Sequence, residues 1–136
     1  MDILAFIKPK QEVIFVYEDE TIKEALDKME KYRFASIPVL NRNGNFVGTL
    51  TEGDLLWHIK NNSDYRASKA EKTLISTVNR FRDYVVINFH SNMDELITKA
   101  SDENFVPVID DQNQFMGIIT RKTLLNYFFE HNFIVL

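Results

Sequence analysis

The tetrapeptide Gly48-Thr49-Leu50-Thr51 returns in altered form as Gly117-Ile118-Ile119-Thr120, at an offset of 69 residues. The same offset carries Pro38 onto Pro107, Val39 onto Val108 and Leu55-Leu56 onto Leu124-Leu125. A repeat in register means two copies of one supersecondary unit, and this settles the architecture before any residue is read singly. Half of a 136-residue chain is marginal for an independent core, so the copies are expected to share one.

Each copy reads as strand, helix, strand, strand, helix. Ile3 to Ile7 is a short apolar helix or arm, ended by Lys8-Pro9-Lys10 because proline cannot continue a helix. Val13-Ile14-Phe15-Val16-Tyr17 is β-branched and aromatic, which predicts a strand buried on both faces. Glu18-Asp19-Glu20 is a polar turn, more simply solvated than metal-binding. Thr21 is an N-cap with Glu24 at the capping-box position, and Ile22, Ala25, Leu26 and Met29 share one helix face that ends near Tyr32-Arg33. Ser36 to Leu40 is a strand, Asn43-Gly44 a hairpin turn, and Phe46 to Leu50 the return strand. A helix from Thr51 to about Lys60 closes the copy, and polar residues from Asn61 to Lys72 form an outer linker.

The second copy repeats the plan. Leu74, Ile75 and Val78 match the arm, Tyr84-Val85-Val86-Ile87 is the first strand, and Met93, Leu96, Ile97 and Ala100 make the helix face. Phe105 to Ile109 and Phe115 to Ile119 are strands about a turn in which Asn113 replaces glycine. The last helix runs from about Thr120 to His131, and the apolar tail Phe133-Ile134-Val135-Leu136 is expected to pack on the protein or on a second chain. The motif boundaries are therefore 1–62 and 74–136, with 63–73 between them.

Composition excludes several functions. A net charge of −4 argues against general nucleic-acid affinity, and the one basic cluster, Arg66, Lys69, Lys72, Arg80 and Arg82, is interleaved with acids. The absence of cysteine removes disulfides, thiolate metal sites and a cysteine nucleophile, and fits the cytoplasm. The amino terminus lacks the pattern of a signal peptide, and no stretch approaches the roughly 20 apolar residues of a membrane helix. His58, His90 and His131 stand apart, so no metal site is expected. No nucleophile elbow, zinc-protease helix or P-loop occurs, so no catalytic role is expected.

The motif that repeats has chemistry of its own. A helix N-terminus leaves backbone N–H groups unpaired and carries partial positive charge, so it attracts phosphate. Thr51 caps such a terminus, and Asp54 one turn in can accept two hydrogen bonds from a ribose. Thr123 occupies the aspartate's place in the second copy, where Arg121 and Lys122 favour a ligand held by its phosphates. Plainer readings stand beside these. Thr51 with Asp54 makes a helix cap in any case, and Arg121 and Lys122 can be solvated charges. Phe34, Tyr84 and Phe105 are more often core than ligand stackers, and Trp57 is most simply packing or interface.

Two β-α-β-β-α units with these motifs resemble a tandem pair of cystathionine-β-synthase (CBS) domains, a Bateman module. The residues that carry the resemblance are Ser36-Ile37-Pro38-Val39 with Gly48-Thr49-Leu50-Thr51-Glu52-Gly53-Asp54, and Val106-Pro107-Val108 with Gly117-Ile118-Ile119-Thr120. The likeness implies an α+β sandwich of two motifs related by pseudo-twofold symmetry. It also implies a non-catalytic sensor of adenosine-containing ligands such as AMP, ADP, ATP, S-adenosylmethionine or cyclic di-AMP, with no further cofactor. By matching positions, one cleft would use Thr51, Asp54, Tyr84, Val85, Val86, Asn104, Phe105 and Val106. The other would use Glu12, Val13, Ile14, Phe34, Ala35, Ser36, Thr120, Arg121, Lys122 and Thr123. The run Phe115 to Lys122 is similar to that of small free-standing bacterial CBS proteins that bind cyclic di-AMP, whereas Glu12 is a departure that would repel phosphate. The resemblance further implies a homodimer, to which apolar Leu55, Leu56, Leu124, Leu125, Phe128 and Phe129 would contribute, and a regulated target protein.

Overall fold

The amino-terminal arm does not pack with the copy it precedes. In the computed structural model, which describes residues 2–62, 67–80, 86–101 and 103–131, the chain divides by contact into two units. One is Ile14–Asp83; the other joins Met1–Val13 to Tyr84–Leu136. Each copy of the repeat is thus completed by the segment that leads into the other copy.

In the unit Ile14–Asp83 a three-stranded sheet has the order β2 (Val16–Tyr17), β3 (Ser36–Leu40), β4 (Phe46–Thr51), with β2 parallel and β4 antiparallel to β3. Helices α1 (Ile22–Tyr32) and α2 (Glu52–Asn61) follow β2 and β4, and a short α3 (Ala67–Ala70) lies within the expected linker. The core holds Val16, Ile22, Ala25, Ile37, Val39 and Leu50, all fully buried, together with Ile75, Val78 and Ala70 from the segment after α2. Burying one such aliphatic side chain contributes roughly 1.5–3 kcal/mol, which is reason enough for this segment to stay with the first copy.

The other unit has a four-stranded sheet in the order β1 (Lys8–Pro9), β7 (Phe115–Thr120), β6 (Phe105–Ile109), β5 (Ile87–Asn88), with helices α4 (Met93–Ala100) and α5 (Arg121–Glu130). Ile3 from the arm is 1% exposed and packs with Ile87, Leu96, Val106, Val108 and Ile119, and Phe6 and Ile7 lie against this cluster. The expected shared core is therefore two clusters, one per unit.

Both first strands are shorter than their sequences predict. Val13 to Phe15 lies outside β2, and Val86 lies outside β5; Tyr84 and Val85 fall outside the described residues. The reason is the same in each copy. Pairing starts at Val16↔Val39 and Ile87↔Val108, one residue past Pro38 and Pro107, which have no N–H to give the neighbouring strand. Nor is β2 buried on both faces: Val16 is buried and Tyr17 half-buried. Turn chemistry agrees with expectation, with Gly44 at φ 84° and Asn113 at φ 61°. The tail 133–136 lies outside the described residues.

Candidate functional site

The two closing helices begin alike. Thr51 ends β4 in extended backbone, its Oγ1 accepts the Asp54 N–H at 3.0 Å, and Asp54 Oδ2 accepts the Thr51 N–H at 3.0 Å. This is a closed capping box, and Asp54 is only 4% exposed. Thr120 Oγ1 accepts the Thr123 N–H at 3.1 Å, but no carboxylate returns the bond; the two hydroxyls meet instead at 2.8 Å.

The neighbouring strand completes each helix tip. The Glu52 N–H donates to the Ala35 carbonyl and the Arg121 N–H to the Asn104 carbonyl, both at 2.9 Å. Strand pairing sets Ser36 opposite Thr51 and Phe105 opposite Thr120. One unit therefore gathers Ala35, Ser36, Thr51 and Asp54 at a single corner, and the other gathers Asn104, Phe105, Thr120 and Thr123. The charge at the two corners differs. The first turn of α2 carries Glu52 and Asp54, whereas that of α5 carries no acid and begins Arg121-Lys122. An anion is better received at the α5 tip.

Arg121 has a structural task as well. Its Nε donates to the carbonyls of Ala100 at 3.2 Å and Glu103 at 3.0 Å, and Nη2 to that of Ser101 at 3.4 Å. A cation thus closes the carboxyl end of α4, where partial negative charge gathers. A guanidinium has five N–H donors, and these bonds use Nε and one from Nη2. Lys122 is exposed.

The remaining candidates split by burial. Val106, Val13 and Phe105 are buried at 1%, 7% and 7%, so main-chain groups are what these positions offer a ligand. Phe34 is 40% exposed and stacks on Tyr32 with ring centroids 5.7 Å apart, so it is not core. Glu12, Ala35 and Asn104 are exposed, and Ile14, Ser36 and Val86 are half-buried. Of these residues, Ile14, Phe34, Ala35, Ser36, Thr51 and Asp54 belong to the unit Ile14–Asp83, and Glu12, Val13, Val86, Asn104, Phe105, Val106, Thr120, Arg121, Lys122 and Thr123 belong to the other.

Two lysines at these edges escaped the sequence reading. Lys28 Nζ donates to the Phe15 carbonyl at 2.9 Å, and Lys99 Nζ to the Val86 carbonyl at 3.1 Å. They occupy equivalent places on α1 and α4, at the offset of 71 that aligns Val16 with Ile87. That equivalence was the available signal.

Exposure of the closing helices also departs from expectation. Leu55 and Leu124 are each 3% exposed and belong to the cores, whereas Leu56, Leu125 and Phe129 are exposed at 57%, 44% and 66%. Trp57 is 54% exposed. Among the described residues no group of three or more His, Cys, Asp or Glu is placed to hold a metal ion, and no helix is long and apolar enough to cross a membrane.

Comparison with known proteins gives one family. The CBS domain matches residues 2–61 and 78–130. A structure of CbpB in complex with c-di-AMP superposes with a TM-score of 0.86 at 25% identity, over 98% of this chain and 89% of that one. CbpB of Listeria monocytogenes, also in complex with c-di-AMP, shares the fold with a TM-score of 0.84 at 21% identity, over 98% of both chains. An uncharacterized protein of Methanocaldococcus jannaschii is 24% identical over 130 residues, 88% of this chain and 46% of that protein. The inosine-5′-monophosphate dehydrogenase of the same organism is 28% identical over 117 residues, 85% of this chain and 21% of the enzyme. The chain spans less than half the length of these two relatives.

Proposed function

The chain belongs to the CBS-domain family, and from that footing we propose that it is a non-catalytic regulatory module of the cytoplasm that binds an adenosine-containing nucleotide. The observation that carries the proposal is the pair of threonine-capped helix tips, each beside an exposed residue at the start of the neighbouring strand, Ala35 or Asn104, in a chain similar over 98% of its length to CbpB holding c-di-AMP.

The chemistry assigns the ligand's parts. Strand-edge backbone at Ala35 and Ser36, and at Asn104 and Phe105, offers donors and acceptors for the adenine edge. Ile14, Phe34 and Val86 offer half-buried or exposed apolar surface for the ring, and Val13 and Val106 offer main-chain groups. The Asp54 carboxylate, which accepts the Thr51 N–H in the capping box, is of the chemical type that accepts hydrogen bonds from ribose hydroxyls. Thr120, Thr123, Arg121 and Lys122 form a tip without a carboxylate, suited to a phosphate-rich ligand. AMP, ADP, ATP and cyclic di-AMP all present phosphate charge to such a tip. Binding shifts the module between two states of different affinity and so alters which target protein it engages as a homodimer.

A second reading is favoured by the exposed apolar residues Leu56, Trp57, Leu125 and Phe129: a constitutive dimeric interaction module with no ligand. Thermal unfolding with AMP, ADP, ATP or cyclic di-AMP separates the two. Ligand at 100 times its dissociation constant stabilises by about 2.7 kcal/mol. Asp54→Ala should weaken a ribose-anchored ligand, and Arg121→Ala a phosphate-anchored one. No shift with any of the four nucleotides leaves the second reading in possession.

A further inference from the structure

Strand pairing stops short of the residues that the first strand of each copy offers to a base. β2 begins at Val16 and β5 at Ile87, since Pro38 and Pro107 have no N–H with which to carry the ladder further. Ile14 and Val86 thus lie before the paired residues. A wall built from such backbone must be ordered by something else, or its freedom is lost only at binding, which weakens affinity.

Side chains supply the order. Lys28, on α1, donates from Nζ to the Phe15 carbonyl at 2.9 Å, and Lys99, on α4, to the Val86 carbonyl at 3.1 Å. Both bonds fall on the residue immediately before the first paired one. Each ammonium is held in its turn by a carboxylate. Lys28 Nζ lies 3.8 Å from Glu20 Oε1, and Lys99 Nζ donates to Glu95 Oε1 at 3.0 Å. In the first copy that Glu20 oxygen also accepts the Tyr17 N–H at 2.8 Å, so one ion pair pins a carbonyl and an N–H two residues apart. Both groups face the outer edge of the sheet. The Glu18 N–H donates to Leu40 of β3, and successive backbone groups of a strand point to alternate sides, which turns those of Phe15 and Tyr17 away from β3. The clamp grips the chain beside Ile14 without using the backbone of Ile14 itself. In the second copy Ser91 stands in the place of Glu20, and Lys99 is held from its own helix instead.

We infer that Lys28 and Lys99 are positioning residues for recognition of the base: each fixes the wall, at Ile14 or at Val86, against which a nucleotide base lies. The inference rests on the proposal that the module binds an adenine nucleotide, and it adds the residues that make the choice of base strict. Neither lysine touches the ligand; each acts through a main-chain carbonyl. A wall that gives lets a wrong base shift until it finds other partners, whereas a wall that is held leaves its polar groups unmatched. Loss of either lysine therefore relaxes the choice between bases more than it loosens the hold on phosphate.

The test uses the full chain and calorimetric titration. AMP and cyclic di-AMP are each compared with the inosine counterpart, which exchanges the 6-amino donor for an oxo acceptor and keeps ribose and phosphate. Wild type is measured beside Lys28→Met, Lys99→Met, Lys28→Arg and Lys99→Arg. At least one Met variant should lose about tenfold or more of the preference for adenine, and that position identifies the wall in use. The Arg variant of the same position, whose guanidinium still donates to a carbonyl, should keep most of it. Hydrogen exchange of the nucleotide-free proteins supplies the second readout: in Lys28→Met the amides of residues 14–17 should exchange faster while those of α1 and β3 keep wild-type rates. Two results overturn the inference in protein that binds nucleotide. One is an unchanged preference in both Met variants. The other is equal weakening of adenine and inosine ligands, which would assign the lysines to phosphate or to general stability. Wild type that binds none of these nucleotides removes the proposed function, and the positioning role with it.

Discussion

The Nζ of Lys28 lies 2.9 Å from the carbonyl oxygen of Phe15 and donates to it just where Pro38 withdraws a strand donor. The second copy repeats the arrangement with Lys99, Val86 and Pro107. In both, a side chain from the helix anchors the segment that leads into a two-residue strand. A hydrogen bond from a charged donor contributes roughly 1.5–3 kcal/mol, so Lys28→Met and Lys99→Met should each lower stability by about that much or somewhat less. Urea midpoints measure this. Unchanged midpoints in both variants would show that the lysines are incidental.

Gly117 and Gly48 occupy the same motif position but are required for different reasons. Gly117 pairs with Pro9, has φ 153°, and a Cβ there would overlap the Lys8 carbonyl oxygen. Backbone cannot move aside cheaply, so Gly117→Ala should cost at least about 1–3 kcal/mol. At Gly48 a Cβ would stand 2.5 Å from Arg80 Nε, which belongs to a side chain. Gly48→Ala should therefore cost less than Gly117→Ala, because the end of the Arg80 side chain can swing aside, and Arg80→Ala should remove what cost remains in a double-mutant cycle, whereas no side-chain truncation should rescue Gly117→Ala.

The two helix caps predict opposite results for one exchange. Thr51→Val removes the acceptor for the Asp54 N–H and should destabilise by about 1 kcal/mol. Thr123→Asp would supply the second copy with the reciprocal acceptor it lacks and should stabilise by a few tenths to about 1 kcal/mol. The same change puts negative charge at the α5 tip, so it should weaken cyclic di-AMP binding as it raises the melting temperature.

Much of this was legible in the residues. Thr21, Thr51 and Thr120 cap helices because a hydroxyl followed by an apolar helical period has few other uses, and Gly44 and Asn113 turn the chain where positive φ is needed. The strand at Val13 to Phe15 misled because β-propensity reflects the partner strand, and the partner carries Pro38. The pairs Leu55-Leu56 and Leu124-Leu125 both read as dimer-contact residues, yet adjacent helical residues face different ways, and only packing shows that Leu55 and Leu124 point inward. The exchange of Ile3 into the core of the second copy has no local signature at all, since apolar arms fit equivalent sheets equally well. Arg121 reads as a phosphate ligand from composition, and its bonds to the end of α4 depend on a contact 18–21 residues away.

Acid should act first on exposed ion pairs. The Asp19 carboxyl is held below its ordinary value of 3.8 by hydrogen bonds from Arg42, aided by that residue's charge. Hydrogen bonding from Lys99, then from Ser91, holds Glu95 below 4.5. A depressed carboxylate pKa contributes stability that is complete above the unfolded value and is lost as pH falls through the folded one. Stability should thus be flat in these groups above about pH 5 and decline below about pH 4. Arg42→Ala should raise the Asp19 titration midpoint toward 3.8, as read by carboxyl NMR; a midpoint that stays put would mean the pair is not formed in solution.

Calorimetric titration of cyclic di-AMP, with AMP and cyclic di-GMP in parallel, tests the central claim most directly. The account predicts saturable binding of an adenine nucleotide, none of cyclic di-GMP, and a weaker curve for Arg121→Lys, which keeps the charge but loses the fork. Protein that gives no saturable heat with AMP, ADP, ATP or cyclic di-AMP, while folded and associated as the wild type is, would contradict it.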